Sequence, residues 1–139
     1  MLIDPASERG AHALERLERD RIAWLTSVTP DGQPQTLPVW FLWEDGELLI
    51  YSFKRAVRNR NIAHNPRVSF HLADDGKGDD LVILEGEARI DASAPAGKDN
   101  PPYLAKYGDW LAEYGWTPEY FSEEYPVQIR LRPTKIRGL

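Results

Sequence analysis

The stretch from Glu47 to Leu72, ELLIYSFKRAVRNRNIAHNPRVSFHL, decides how the rest of the chain is read. An apolar strand, Glu47 to Ser52, runs into a basic loop. A short helix is predicted over Val57 to His64. It stops before Pro66, which has no N–H to donate and biases Asn65 away from the helical region. A second strand follows from Arg67 to Leu72. Between Leu48 and Ala73 there are five cations, Lys54, Arg55, Arg58, Arg60 and Arg67, and no Asp or Glu, although the chain carries a net charge of -5. The other residues supply 12 basic against 22 acidic side chains. Such a local surplus of positive charge, beside the free N–H groups of a helix start, suits an anion. It reads as a cradle for a phosphate-bearing cofactor or as a solvated basic face.

Upstream, Ser7 to Asp20 (SERGAHALERLERD) spaces Ala11, Leu14, Leu17 and Arg21 at helical intervals, with Ser7 as N-cap. Ile22 to Thr29 reads as a strand, Pro30-Asp31-Gly32 as a turn, and Gln35 to Glu44 as the returning strand of a hairpin. Pro38 places itself at an edge, a bulge or a break, leaving backbone groups near it free for a ligand. Asp45-Gly46 signals a second hairpin into Glu47 to Ser52, so three strands form a meander. On alternation, Trp40 and Leu42 share one face while Phe41 and Trp43 share the other.

Downstream, Asp74 to Asp80 (DDGKGDD) reads as an exposed hairpin loop; a calcium site is the alternative, but the EF-hand ligand spacing is missing. Leu81 to Ile90 is a strand, and Asp91 to Pro102 a loop. Eight of the fifteen aromatic residues lie between Tyr103 and Tyr125, at helical spacing broken by Gly108, Gly115 and Pro118, which predicts two or three short helices. Val127 to Arg132 alternates as a last strand before Pro133 and a basic tail. Hairpin-connected strands outnumber helices, so the expected architecture is mainly β: a closed or partly open antiparallel barrel with peripheral helices, residues 1–139 forming one domain.

Composition narrows the chemistry. The chain has no cysteine, which removes disulfides, thiolate nucleophiles and zinc ribbons, and fits a reducing cytoplasm. No apolar run reaches the ~20 residues of a membrane span, and the N-terminus lacks a signal-peptide layout. A pI near 5.2 argues against nucleic acid as the main partner. His12, His64 and His71 fall in a predicted helix, a helix end and a strand, with no G-x-S-x-G elbow and no metal-ligand spacing. Walker and Rossmann glycine patterns are also missing. What remains is the basic loop and the aromatic material. A phosphate held by two or three cations gains roughly 1.5–3 kcal/mol per charged hydrogen bond. A flat heterocycle would lie along Val39 to Phe41, unless those rings serve core or interface packing.

Three stretches, AWLTSVTPDGQPQTLPVWFLW from Ala23, YSFKRAVRNRNIAHNPRVSFHL from Tyr51 and the tail IRLRPTKIRGL, resemble the pyridoxamine-5'-phosphate-oxidase-like split β-barrel superfamily. The likeness runs from Ile22 to Leu139 and is closest to the deazaflavin-dependent reductases that use coenzyme F420. It implies a six-stranded antiparallel split barrel of the FMN-binding type, a homodimer with two interface sites, and hydride transfer to a small electron-poor substrate with no essential protein acid or base. By this resemblance the ring rests against Val39, Trp40 and Phe41, and the linker lies near Tyr51 and Ser52. The phosphate sits on Lys54, Arg58 and Arg60 beside Asn61, with Arg55 available to the anionic tail. The family pattern usually has Lys where this chain has Arg58. Members gripping flavin mononucleotide (FMN) carry Arg at the place of Val57, so Val57 favours F420. FMN, or cofactor binding without turnover, are the alternatives.

Overall fold

The computed structural model describes residues 2–138. Helix α1, Glu8–Arg19, starts where Ser7 Oγ accepts from the Gly10 N–H, with Glu8 in the first turn and Arg16 and Arg19 in the last. It buries Ala13, Leu17 and the flat side of Arg16, and leaves Ala11 exposed. Of the stripe predicted from spacing, Leu17 is buried and Leu14 packs against the core while Ala11 stays outside, so the inner face is centred on Ala13 and Leu17. The cause is a tertiary demand on Arg16. Its guanidinium donates to the carbonyls of Asp80 (2.6 Å) and Ala73 (2.6 Å) and pairs with Asp20, closing the loop that Asp74 to Asp80 makes. That loop is an exposed hairpin connection, as its composition predicts, and among the described residues no cluster of acidic or histidine side chains suits a metal ion.

Seven antiparallel strands form one curled sheet: β1 (Ala23–Val28), β2 (Pro34–Val39), β3 (Leu42–Glu44), β4 (Glu47–Ser52), β5 (Arg67–Leu72), β6 (Ile83–Ile90) and β7 (Val127–Arg137), in the order β2-β1-β5-β6-β7-β4-β3. The split-barrel expectation holds, with seven strands in place of six. The extra one arises because Gln35 to Glu44 is not a single strand. Its first half pairs with β1 (Trp24 opposite Pro38) and its second half with β4 (Leu42 opposite Leu49). These halves stand at opposite ends of the sheet, so there is no three-stranded meander. The dipeptide Trp40-Phe41 bridges the two ends. Pro38 accordingly sits on an edge strand, where a missing N–H costs no ladder bond.

The predicted alternation along this bridge holds. Phe41 and Trp43 face the core inside the curl, formed by α1, Leu25, Ile50, Ile62, Phe70, Leu84 and Leu131. Trp40 and Leu42 face a second core outside it. Strand β4 is buried on both faces: Leu48 and Ile50 enter the first core, Leu49 and Tyr51 the second. Helix α2, Val57–His64, ends before Pro66 as predicted.

Over the second core lie α3, Pro101–Tyr114, and α4, Pro118–Glu124, preceded by a 3-10 turn at Gly97–Asp99. Asn100 and Thr117 cap them, each followed by Pro at the first helical position. Helix α3 continues through Gly108, contrary to the break predicted there, because a glycine costs only about 1 kcal/mol in a helix otherwise held by packing. It ends at Gly115, whose φ of 74° is the left-handed cap. Strand β7 likewise runs past Pro133 to Arg137. A register shift at Glu85/Gly86 absorbs the proline, and Gly86 has no side chain to strike the Arg132 carbonyl, which a Cβ would meet at 2.3 Å.

Candidate functional site

Between the bridge, β4, the start of α2 and helices α3 and α4 opens a cleft of about 560 Å³. Thirteen residues line it, and eight are aromatic: Trp40, Tyr51, Phe53, Tyr103, Tyr114, Trp116, Phe121 and Tyr125. One is charged, Arg58. Ile22, Leu37, Pro38 and Val39 complete the lip. Four of the ten residues named from the sequence, Val39, Trp40, Tyr51 and Arg58, thus share one cavity.

The rings form a mutually ordered wall. Trp40 stacks on Tyr107 at 4.7 Å with 2° between planes, and lies nearly parallel to Phe121 at 6.2 Å. Phe121 stacks on Tyr125 at 5.1 Å, and Tyr51 meets Tyr103 edge to face at 4.7 Å. Tyr51 is locked by its hydroxyl, which donates to the Pro95 carbonyl (2.6 Å) and accepts from Asn100 Nδ2 (3.0 Å). Burial pushes its phenol upward, so it is neutral at ordinary pH.

Arg58 is the one charged group in the cleft lining. Its Nε donates to Ser52 Oγ at 3.0 Å, which aims the guanidinium along the wall, 5.9 Å from the Phe53 ring centre. Burial lowers its pKa from the ordinary arginine value, the mark of a cation short of partners. The rest of the basic segment likewise lacks carboxylate partners. Outside it, Arg16, Arg19, Arg21, Arg89, Arg130, Arg132 and Arg137 each hold a carboxylate. Lys54, Arg55, Arg58, Arg60 and Arg67 hold none among the described residues. A guanidinium with free donors, walled by rings and facing no carboxylate, fits a planar ligand bearing an anionic group.

The other predicted residues are placed differently. Phe41 is fully buried and faces the inner core, so the ring wall is Trp40 and not the Trp40–Phe41 pair. Ser52 is buried beneath Arg58. Asn61 is buried and donates to Ser27 Oγ and Gln35 Oε1, tying α2 to the first hairpin. Lys54, Arg55 and Arg60 are exposed and outside the cleft lining. Sequence reasoning did not assign Phe53, Tyr103, Tyr114, Trp116, Phe121 or Tyr125 to the cleft. The density of aromatics from Tyr103 to Tyr125 was the available signal, but which ring faces which wall depends on how α3 and α4 dock.

Fold and cleft together define a split β-barrel protein with an aromatic cleft, carrying one arginine, at one face of its sheet. The sequence profile described as pyridoxamine 5'-phosphate oxidase matches residues 10–139, and the chain belongs to that family. Among solved structures it is similar to a conserved hypothetical protein from Mycobacterium tuberculosis, at 26% identity and a TM-score of 0.70, over 94% of this chain and 82% of that one. It is similar also to an F420 reductase, at 25% identity and a TM-score of 0.66, over 90% and 95%. A FAD-binding protein from Mesorhizobium loti shares the fold at 21% identity and a TM-score of 0.63, over 91% and 90%. No curated protein matches the sequence. No described helix is long and apolar enough to cross a membrane.

Proposed function

We propose that this protein is an oxidoreductase that binds the deazaflavin coenzyme F420 in the aromatic cleft. The observation carrying the reading is Arg58: a part-buried guanidinium, braced by Ser52 and facing no carboxylate, in a wall of eight aromatic side chains. Likeness to an F420 reductase supports it, as does Val57 where members gripping FMN carry Arg. When bound, the reduced coenzyme supplies a hydride to an electron-poor double bond.

The chain's own residues bind and orient. Arg58 takes an anionic oxygen of the coenzyme. Trp40 and Tyr125, both half-buried, offer ring surface to its ring and keep water from it, with buried Phe121 backing them. Exposed Lys54, Arg55 and Arg60 add positive potential along the path of the anionic tail. The lip residues Ile22 and Leu37 are exposed apolar side chains, Leu37 at 54% on edge strand β2, and a second copy of the chain covering them would complete the site as a homodimer. Sedimentation of wild type against Leu37→Glu tests that arm.

Anaerobic fluorescence titration with F420 and, separately, with FMN tests the main reading. Micromolar binding of F420 with weaker binding of FMN is the expected result. The reverse order assigns the cleft to FMN, and binding of neither removes the cofactor reading altogether. Bound F420 without hydride transfer to a panel of quinones and enones would make the protein a carrier.

A further inference from the structure

The Trp40-Phe41 bridge has no strand partner, yet both backbone groups of Phe41 are engaged, and by one helix. Tyr107 Oη accepts from the Phe41 N–H (2.8 Å) and lies 2.7 Å from the Arg21 carbonyl, to which it donates. Lys106 Nζ donates to the Phe41 carbonyl (2.9 Å) and stands 3.8 Å above the Phe41 ring. The Tyr107 ring meanwhile carries the Trp40 indole in face-to-face contact. Two consecutive residues of α3 therefore fasten the peptides on either side of Phe41, which set the indole's position, two turns before α3 delivers Tyr114 to the same cleft.

We infer that Lys106 and Tyr107 are positioning residues for the cleft: by clamping the Phe41 peptide to α3 they hold the Trp40 indole in the plane against which a flat ligand stacks. The consequence for coenzyme binding rests on the cofactor reading above; the clamp itself does not. Fold stability alone gives no reason for an ammonium here. A methionine would fill the same space without the cost of burying a charge, and that cost shows in the Lys106 pKa, lowered by burial to about 8. The charged groups around it are Glu18 and Asp20 at the end of α1, which oppose the shift, and Arg21, which adds to it. Arg21 is itself held by Asp109 and lies over the Trp110 ring. As pH rises through about 8, Lys106 loses its proton, the charge-assisted bond becomes an ordinary amine bond, and the attraction to the Phe41 ring is lost.

The experiment follows the Trp40 indole N–H resonance, assigned by its absence in Trp40→Phe, across pH 6.5 to 9.5 in wild type, Lys106→Met and Lys106→Arg. Dispersed amide spectra establish that each variant is folded. The resonance is expected to move with a midpoint near 8 in wild type, to be displaced and flat in Lys106→Met, and to keep its low-pH position in Lys106→Arg. Dissociation constants for F420 and FMN are measured on the same samples. Lys106→Met should weaken whichever coenzyme binds by about tenfold, the scale of one lost hydrogen bond to a charged group, and Lys106→Arg should restore it. An indole resonance identical in wild type and Lys106→Met overturns the clamp. If neither coenzyme binds wild type, the cofactor reading falls while the resonance still decides the clamp.

Discussion

Arg58 and Tyr107 show two ways in which a single side chain serves this cleft. Arg58 contributes charge where no carboxylate answers it. Arg58→Ala should weaken coenzyme binding by about 1–3 kcal/mol with the melting temperature little changed, and titration calorimetry measures the difference. An unaltered affinity in a folded variant would remove Arg58 from the site. Tyr107 contributes a hydroxyl to an unpaired peptide. It is fully buried, and burial pushes its phenol upward, so it remains a neutral donor throughout the accessible pH range. Tyr107→Phe leaves the Phe41 N–H without its acceptor and the Arg21 carbonyl without its donor. Denaturant unfolding should show a loss of about 1–3 kcal/mol, the cost of stranding buried polar groups.

At the scale of elements, the 3-10 turn and α4 set the far wall of the cleft. Gly97 lies against the Phe121 ring so closely that a Cβ would stand 2.7 Å from it. Gly97→Ala should therefore push Phe121 and α4 outward, lowering stability by roughly 1–3 kcal/mol as overpacking does, and disturbing the Phe121–Tyr125 stack. Near-UV circular dichroism would report the altered aromatic packing, and an unchanged spectrum would mean that α4 is not held by this contact. The elements themselves were legible to different degrees. Helix α1, the first hairpin, β4, α2 and β5 follow from caps, turn glycines and Pro66. The division of Gln35 to Glu44 into two strands was not legible. Nothing local in the run says that the partners of its two halves lie at opposite ends of a sheet. Helix α3 and strand β7 passed through Gly108 and Pro133 for a similar reason, packing and a bulge outweighing a local preference.

For the whole molecule, Lys106 gives stability a pH dependence whose sign can be stated. Its pKa falls from the ordinary 10.5 to about 8 on folding, so between these values the unfolded chain binds more protons than the folded one. Stability attributable to this group is therefore reduced below about pH 8 and recovers as pH rises toward 10.5. The unfolding free energy of wild type minus that of Lys106→Met should rise from pH 7 to pH 10. A flat difference in paired denaturant melts would show that the ammonium is not desolvated in the folded protein.

The sequence by itself determined the local structure and the sign of the chemistry. Caps, turn residues and alternation depend on neighbours a few positions away, and an acid-free run of five cations is a local excess of positive charge readable from composition. Only the tertiary structure decided which of those cations faces a cleft and which rings wall it. Arg58 alone is turned inward, because Ser52 at the end of β4 braces it. Trp40 became a wall because a helix more than sixty residues further along the chain takes hold of the next peptide. Such contacts are made across the fold, between residues whose spacing along the chain carries no trace of their meeting.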